Sequence, residues 1–150
     1  IYLSYDWSYF RISLFDYFFF NDRSPSTQFF NYRKNETIHV LEGIAEFTGS
    51  DAVPFRFLGG SNFYGDDPHR SVYFEAAWMS TSSNLNVELF CGYTPTRGFY
   101  NESKAGFTNI GASMTRNLIA NERFSLPLQI QLVYHPFVQK FFMVAAIGIH

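Results

Sequence analysis

Leu126, Leu128, Ile130, Leu132 and Tyr134, interleaved with Pro127, Gln129, Gln131 and Val133, repeat with a period of two. Successive side chains of an extended chain point to opposite sides. This spacing therefore builds a strand with one apolar and one wetter face. The same pattern returns in Phe74, Ala76 and Trp78 against Tyr73, Glu75 and Ala77. It returns again in Leu85, Val87, Leu89 and Cys91 against Asn86, Glu88, Phe90 and Gly92. Helical spacing fits none of these segments, so the chain reads as all-β.

At the start, Leu3, Tyr5, Trp7 and Tyr9 alternate with Ser4, Asp6 and Ser8, and an aromatic-rich run follows over residues 10–20, joined by a hairpin near 6–9. Runs at 37–47, 55–63, 107–116 and 141–149 bring the total to about nine strands, each near the ~9–11 residues that cross a bilayer at a tilt. Turn-forming residues concentrate at 21–28, 48–54, 65–70, 80–84, 94–104, 117–123 and 135–139.

Rings make up 21% of the chain and charged residues only 16%, yet the mean hydropathy is −0.10. The longest apolar stretch, 141–149, is about half of the ~20 residues that a spanning helix needs. High aromatic content without a long apolar run is what a transmembrane barrel produces, because its strands are apolar only at alternate positions. The net charge is −2, and the longest basic run is Arg33-Lys34. Nothing here marks nucleic-acid binding. A lone Cys91 excludes an internal disulfide and reads as a small apolar strand residue.

These features lead to the expectation of an antiparallel up-and-down transmembrane β-barrel in the bacterial outer membrane. The long connections 21–36 and 94–104 lie four strands apart and are assigned to the external side, with 65–70 and 135–139. Counting strands from there starts the chain on the outside, so residues 1–150 are expected to be one domain, the C-terminal part of a barrel of roughly 10–12 strands. The expected surroundings are outer-membrane lipid, lipopolysaccharide and other outer-membrane proteins.

Several short motifs carry a family resemblance. They are Val53-Pro54-Phe55-Arg56-Phe57, Tyr73-Phe74-Glu75-Ala76, Gly92-Tyr93-Thr94-Pro95 with Gly98-Phe99-Tyr100, and the closing stretch from Phe124-Ser125-Leu126-Pro127 through Tyr134-His135-Pro136 to Ile147-Gly148-Ile149. Their order resembles the TorF-like and related outer-membrane porin families of Gram-negative bacteria. That resemblance implies location and fold more than activity. The chain ends Ile149-His150, where many such barrels end on an aromatic residue.

The alternation nominates Glu42, Glu46, Arg56, Asn62, Glu75, Asn86, Glu88, Gln129 and Gln131 as lumen-lining residues. Arg56 is the one clear base among several carboxylates, so a Glu–Arg network plugging a narrow interior is favoured over an open, cation-preferring pore. Tyr64, Trp78, Tyr93, Tyr134 and Phe141 are the candidate interface aromatics.

Catalysis is not expected. No serine sits in a nucleophile elbow, and His69 and His135 each adjoin a proline in an expected turn. His39 falls at a strand start, where an interfacial role suits it. Asp66, Asp67 and His69 read as solvated loop charges, and no metal or cofactor is expected. The leading function is a non-enzymatic porin or structural barrel. The alternatives are an accessory subunit of an outer-membrane complex and a soluble lipocalin-like barrel that binds an apolar ligand.

Overall fold

In the computed structural model, which describes residues 1–19, 29–34, 36–50, 52–121 and 124–148, the chain is all-β. The strands are β1 (Tyr2–Trp7), β2 (Phe10–Phe18), β3 (His39–Phe47), β4 (Phe55–Gly65), β5 (Val72–Ser82), β6 (Leu85–Thr94), β7 (Gly106–Asn121), β8 (Phe124–His135) and β9 (Lys140–Ile147). Each pairs antiparallel with the next in chain order, giving one nine-stranded meander. The expected turn at 21–28 and the end of the expected 141–149 strand lie outside the described residues.

Local chemistry sets the corners. Ser8-Tyr9 and Ser83-Asn84 make two-residue hairpin turns, Ser8 with a positive φ of 54°. Residues 136–139 form a four-residue turn that ends on Gln139 at φ 52°. The ladder shifts register at Leu41/Glu42, at Gly92/Tyr93 and at Asn117/Ile119. Pro127 is tolerated inside β8 because its backbone faces the end of β9, where its carbonyl accepts from the Gly148 amide at 3.0 Å and its missing N–H falls at the limit of the ladder. The turn expected at 117–123 is correspondingly strand up to Asn121.

Gly65 is the corner that tolerates no other residue. Its φ is +100°, and a Cβ there would run into the carbonyl oxygen of His39. Gly65→Ala is expected to destabilise the fold by about 3 kcal/mol, combining left-handed strain with a backbone clash. Thermal unfolding measures it, and a change below about 1 kcal/mol contradicts this account of the corner.

The barrel does not form. The strand order is linear, and among the described residues β1 and β9 share no contact. A sheet open at both ends leaves a row of unpaired N–H and C=O groups on each edge, which hydrocarbon does not permit. The transmembrane barrel, the porin-family assignment, the porin or structural-barrel function and the outer-membrane location are therefore corrected. So are the lipid, lipopolysaccharide and outer-membrane-protein partners and the accessory-subunit role, all of which rested on closure. The lipocalin-like alternative fails for the same reason, because a ligand-holding barrel also needs a closed wall. What stands is an open, antiparallel, all-β sheet.

Alternation gives this sheet two unlike faces. Phe57, Phe74, Leu89, Phe107 and Leu132 line one face and are about half exposed. The other face carries Glu42, Glu46, Arg56, Glu75 and Glu88 and is the better buried of the two. Among the described residues, Val40, Ala77 and Phe90 are the only buried apolar side chains. For a chain so rich in rings, that is a very small core.

Candidate functional site

The polar face is organised around one cation. Arg56 stands near the start of β4, opposite Ala77 of β5. Because Ala77 offers only a methyl group, the guanidinium can lie over β5 and reach strands on both sides. Its Nη2 donates to Glu75 Oε1 at 2.6 Å and to Glu88 Oε1, and its Nε donates to the same Glu88 oxygen at 3.1 Å. Nη1 approaches Glu46 Oε1 at 3.5 Å. One base thus joins β3, β4, β5 and β6. Burial alone would push the Arg56 pKa down, but its bonds to Glu88 and Glu75 and their charges outweigh this and raise it.

Cross-strand register explains why these groups meet. A row runs Asp6, Arg11, Glu46, Leu58, Glu75, Gly92, Asn109 across seven strands. Arg11 closes its near end, bonding Asp6 at 2.6 Å and lying 3.6 Å from Glu46. At the far end Asn109 Nδ2 donates to the Tyr73 hydroxyl at 3.1 Å, and that hydroxyl donates to Glu75 Oε2 at 2.5 Å. Gly92 makes the overlap possible, since a Cβ there would strike the Tyr73 ring and hydroxyl.

A second node surrounds Glu42, which is 5% exposed. It accepts from the Tyr17 hydroxyl of β2 at 2.8 Å and from the Tyr100 hydroxyl of the 95–105 connection. Tyr100 also packs on Tyr73 with ring centres 5.1 Å apart. The connection is pinned from below by Ser71, whose Oγ accepts from the Phe99 amide at 2.6 Å. Nearby, Asp67 accepts from Asn62 Nδ2 at 2.7 Å and from the amides of Ser71 and His69 at 2.8 and 3.0 Å. Burial acts to raise the Asp67 pKa, but these donors overcome it and hold the carboxyl below the usual range.

The tyrosines of the network donate protons to carboxylates, and this sets an alkaline limit. Burial and the Glu42 contact push Tyr17 up to about 12. Burial and Glu75 raise Tyr73, and burial and Glu42 raise Tyr100. A raised folded value means that the stabilisation is complete below the ordinary tyrosine pKa of about 10 and is lost as pH climbs through the folded values. Absorbance titration should show these three rings still protonated near pH ~11. Ionisation of every tyrosine together near pH ~10 in a still-folded sheet would contradict the network.

The nominated residues divide into distinct places. Glu42, Glu46, Arg56, Asn62, Glu75 and Glu88 fall within the two nodes and their flank. Asn86, Gln129 and Gln131 share the polar face farther along, in register with Thr115, Thr115 and Ser113 respectively. Trp78 and Tyr93 stand on the apolar face, and Tyr134 packs on Phe141 with centroids 4.8 Å apart. Tyr64 instead donates to the Tyr32 carbonyl at 2.5 Å. Tyr17, Tyr73 and Tyr100 were not singled out by sequence. Alternation alone could have flagged the first two, but Tyr100 lies in a connection, where alternation gives no signal and the Gly98-Phe99-Tyr100 motif marked only a family resemblance.

The carboxylates of the polar face outnumber its two guanidinium groups, and they are held by bonds from those groups and from tyrosine hydroxyls. The strongly bound carboxylates face a guanidinium or phenol. Among the described residues no group of three or more His, Cys, Asp or Glu is arranged to hold a metal ion. Asp67 is occupied by its own turn, and His69 meets it through a backbone amide. No family model matches the chain, and no curated protein or solved structure matches it either.

Proposed function

We propose that the chain is a non-catalytic assembly module that works by extending its sheet through the β9 edge, with a second copy of itself as the partner. The observation that carries this reading is the edge itself. Every residue of β9 is exposed, with Phe141, Met143 and Ile147 at 70%, 75% and 65%. After Lys140 the strand reads Phe-Phe-Met-Val-Ala-Ala-Ile without a charge or a proline. Edge strands that stay alone are blunted by such residues. The opposite edge is equally exposed but shorter and interrupted by a charge: β1 is six residues long and carries Asp6, bound to Arg11, near its end.

Strand parity selects the geometry. With nine antiparallel strands, β1 and β9 run in the same direction. A second copy in the same orientation would therefore bring β1 to β9 in parallel. A two-fold axis beside Val144 pairs β9 with its own copy antiparallel, setting Phe141 opposite Ile147 and Met143 opposite Ala145. That register keeps the apolar faces of both sheets on one side. Sedimentation velocity tests the reading: a dimer that dissociates on dilution supports it, and a monomer at all concentrations overturns it.

A further inference from the structure

His39 opens β3 and is wholly buried, with surroundings that fix its proton count. Its Nδ1 lies 2.6 Å from Asp16 Oδ1 of β2, and its Nε2 lies 2.7 Å from the carbonyl oxygen of Phe29. A carbonyl oxygen only accepts, and an ionised carboxylate only accepts. A neutral imidazole has one donor nitrogen and one acceptor nitrogen, so it satisfies one of these partners and leaves the other facing a lone pair. Both contacts are bonds when both ring nitrogens carry hydrogen.

We propose that His39 is held as an imidazolium and acts as a proton-loaded latch, tying the segment of residues 29–34 and 36–37 onto β2 and β3 and releasing it when the proton leaves. The ring spans the join: Asp16 belongs to the sheet, and Phe29 belongs to the segment. Tyr32 of the segment lies over the ring with centroids 4.3 Å apart and donates its hydroxyl to Asp16 Oδ2 at 2.7 Å. Phe18 and Phe29 enclose the remaining sides.

Among the described residues, the titratable groups facing the ring are Asp16 from β2 and Tyr32 from the segment. Asp66, after β4, reaches β3 only through its backbone amide on the His39 carbonyl, and Tyr64 of β4 holds the Tyr32 carbonyl. The Ile1 nitrogen donates to the Asp16 carbonyl oxygen at 3.0 Å. Burial acts to raise the Asp16 pKa, but Tyr32 and His39 outweigh it and hold the carboxyl below its ordinary range. The carboxylate accepts from the Tyr32 hydroxyl at Oδ2 and meets the His39 ring at Oδ1, so the hydrogen between Asp16 and the ring is placed on Nδ1.

Loss of one ring proton leaves one ring nitrogen with a lone pair against an oxygen. The charged Asp16 contact keeps the remaining hydrogen, so the Phe29 contact is the one that breaks. The sign is opposite to that of the carboxylates: the latch is closed at low pH and opens as pH rises. It also withholds His39 from acting as a base while closed, because neither nitrogen offers a lone pair.

The test is nitrogen NMR of the full chain, with the His39 ring signals identified by their absence in His39→Gln, and amide exchange read in parallel. On the acid side, both His39 ring nitrogens should show an attached proton. As pH rises and one is lost, exchange at the Glu36 and Thr37 amides, corrected for intrinsic rate, should quicken about fivefold, the value of one hydrogen bond. Those amides bond the Arg33 carbonyl and report the segment. A ring that keeps one bare nitrogen on the acid side overturns the latch, and so does unchanged exchange while His39 loses its proton. Both outcomes are read in the unaltered chain, so they stand even where a variant fails to fold.

Discussion

Replacing Arg56 with alanine is expected to destabilise the sheet by about 3 kcal/mol, because it leaves partly buried carboxylates without their cation. The side chains of Arg56, Glu46, Glu75 and Glu88 are 18%, 12%, 15% and 27% exposed, too covered for water to replace the lost partner fully. For a chain of this length that corresponds to a fall in Tm of roughly 10 °C. The discriminating variant is Arg56→Met combined with Glu75→Gln and Glu88→Gln. Removing both signs of charge together should recover much of the loss, since the penalty comes from the orphaned charges more than from the lost attraction. A single Arg56→Ala that melts within about 2 °C of the parent would show the network to be loosely solvated.

Val144→Lys is expected to weaken self-association about a hundredfold while leaving the fold intact. In the two-fold pairing Val144 meets its own copy, so one substitution sets two like charges directly opposite each other. Such a juxtaposition costs several kcal/mol, and about 3 kcal/mol is a hundredfold in affinity. Val144 is 51% exposed, so a lysine there disturbs little within the sheet. Ser4→Lys at the β1 edge is the matched control and should leave association unchanged. Equal effects at the two edges would contradict the assignment of β9 as the pairing edge.

The strands were legible because a period of two is a local signal. The alternation over 126–134 falls within β8, that over 73–78 within β5 and that over 85–92 within β6. Each segment carries its own record of which side is apolar. Closure carries no such record. Alternation states that a sheet has two unlike faces, and a barrel wall and an open sheet satisfy that equally. Whether β1 meets β9 depends on twist and stagger accumulated over the whole ladder, which no residue of either strand encodes. The aromatic content was read as a sign of lipid, although an open sheet with no second layer among the described residues exposes the same rings.

The polar nodes were half legible. Glu46, Arg56, Glu75 and Glu88 could be placed on one face by counting, and Arg56 stood out as their shared cation. Two features were hidden. Tyr100 reaches Glu42 from a connection, 58 residues away in sequence, and nothing in its neighbourhood announces that contact. His39 read as an interfacial histidine because it begins a strand. Its partners Asp16 and Phe29 lie 23 and 10 residues away; the pairing of β2 with β3 brings Asp16 to one ring nitrogen, and the segment before β3 brings Phe29 to the other.

The central claim is that β9 is the edge at which the open sheet continues into a second copy. Hydrogen exchange of the β9 amides, followed as protein concentration is raised, tests it most directly. Protection that grows with concentration along residues 141–147, while the β1 amides stay fast, is the predicted result. Exchange at β9 that is equally fast at every concentration would show the edge to be bare, and protection already complete in the dilute monomer would show that it is covered from within the chain.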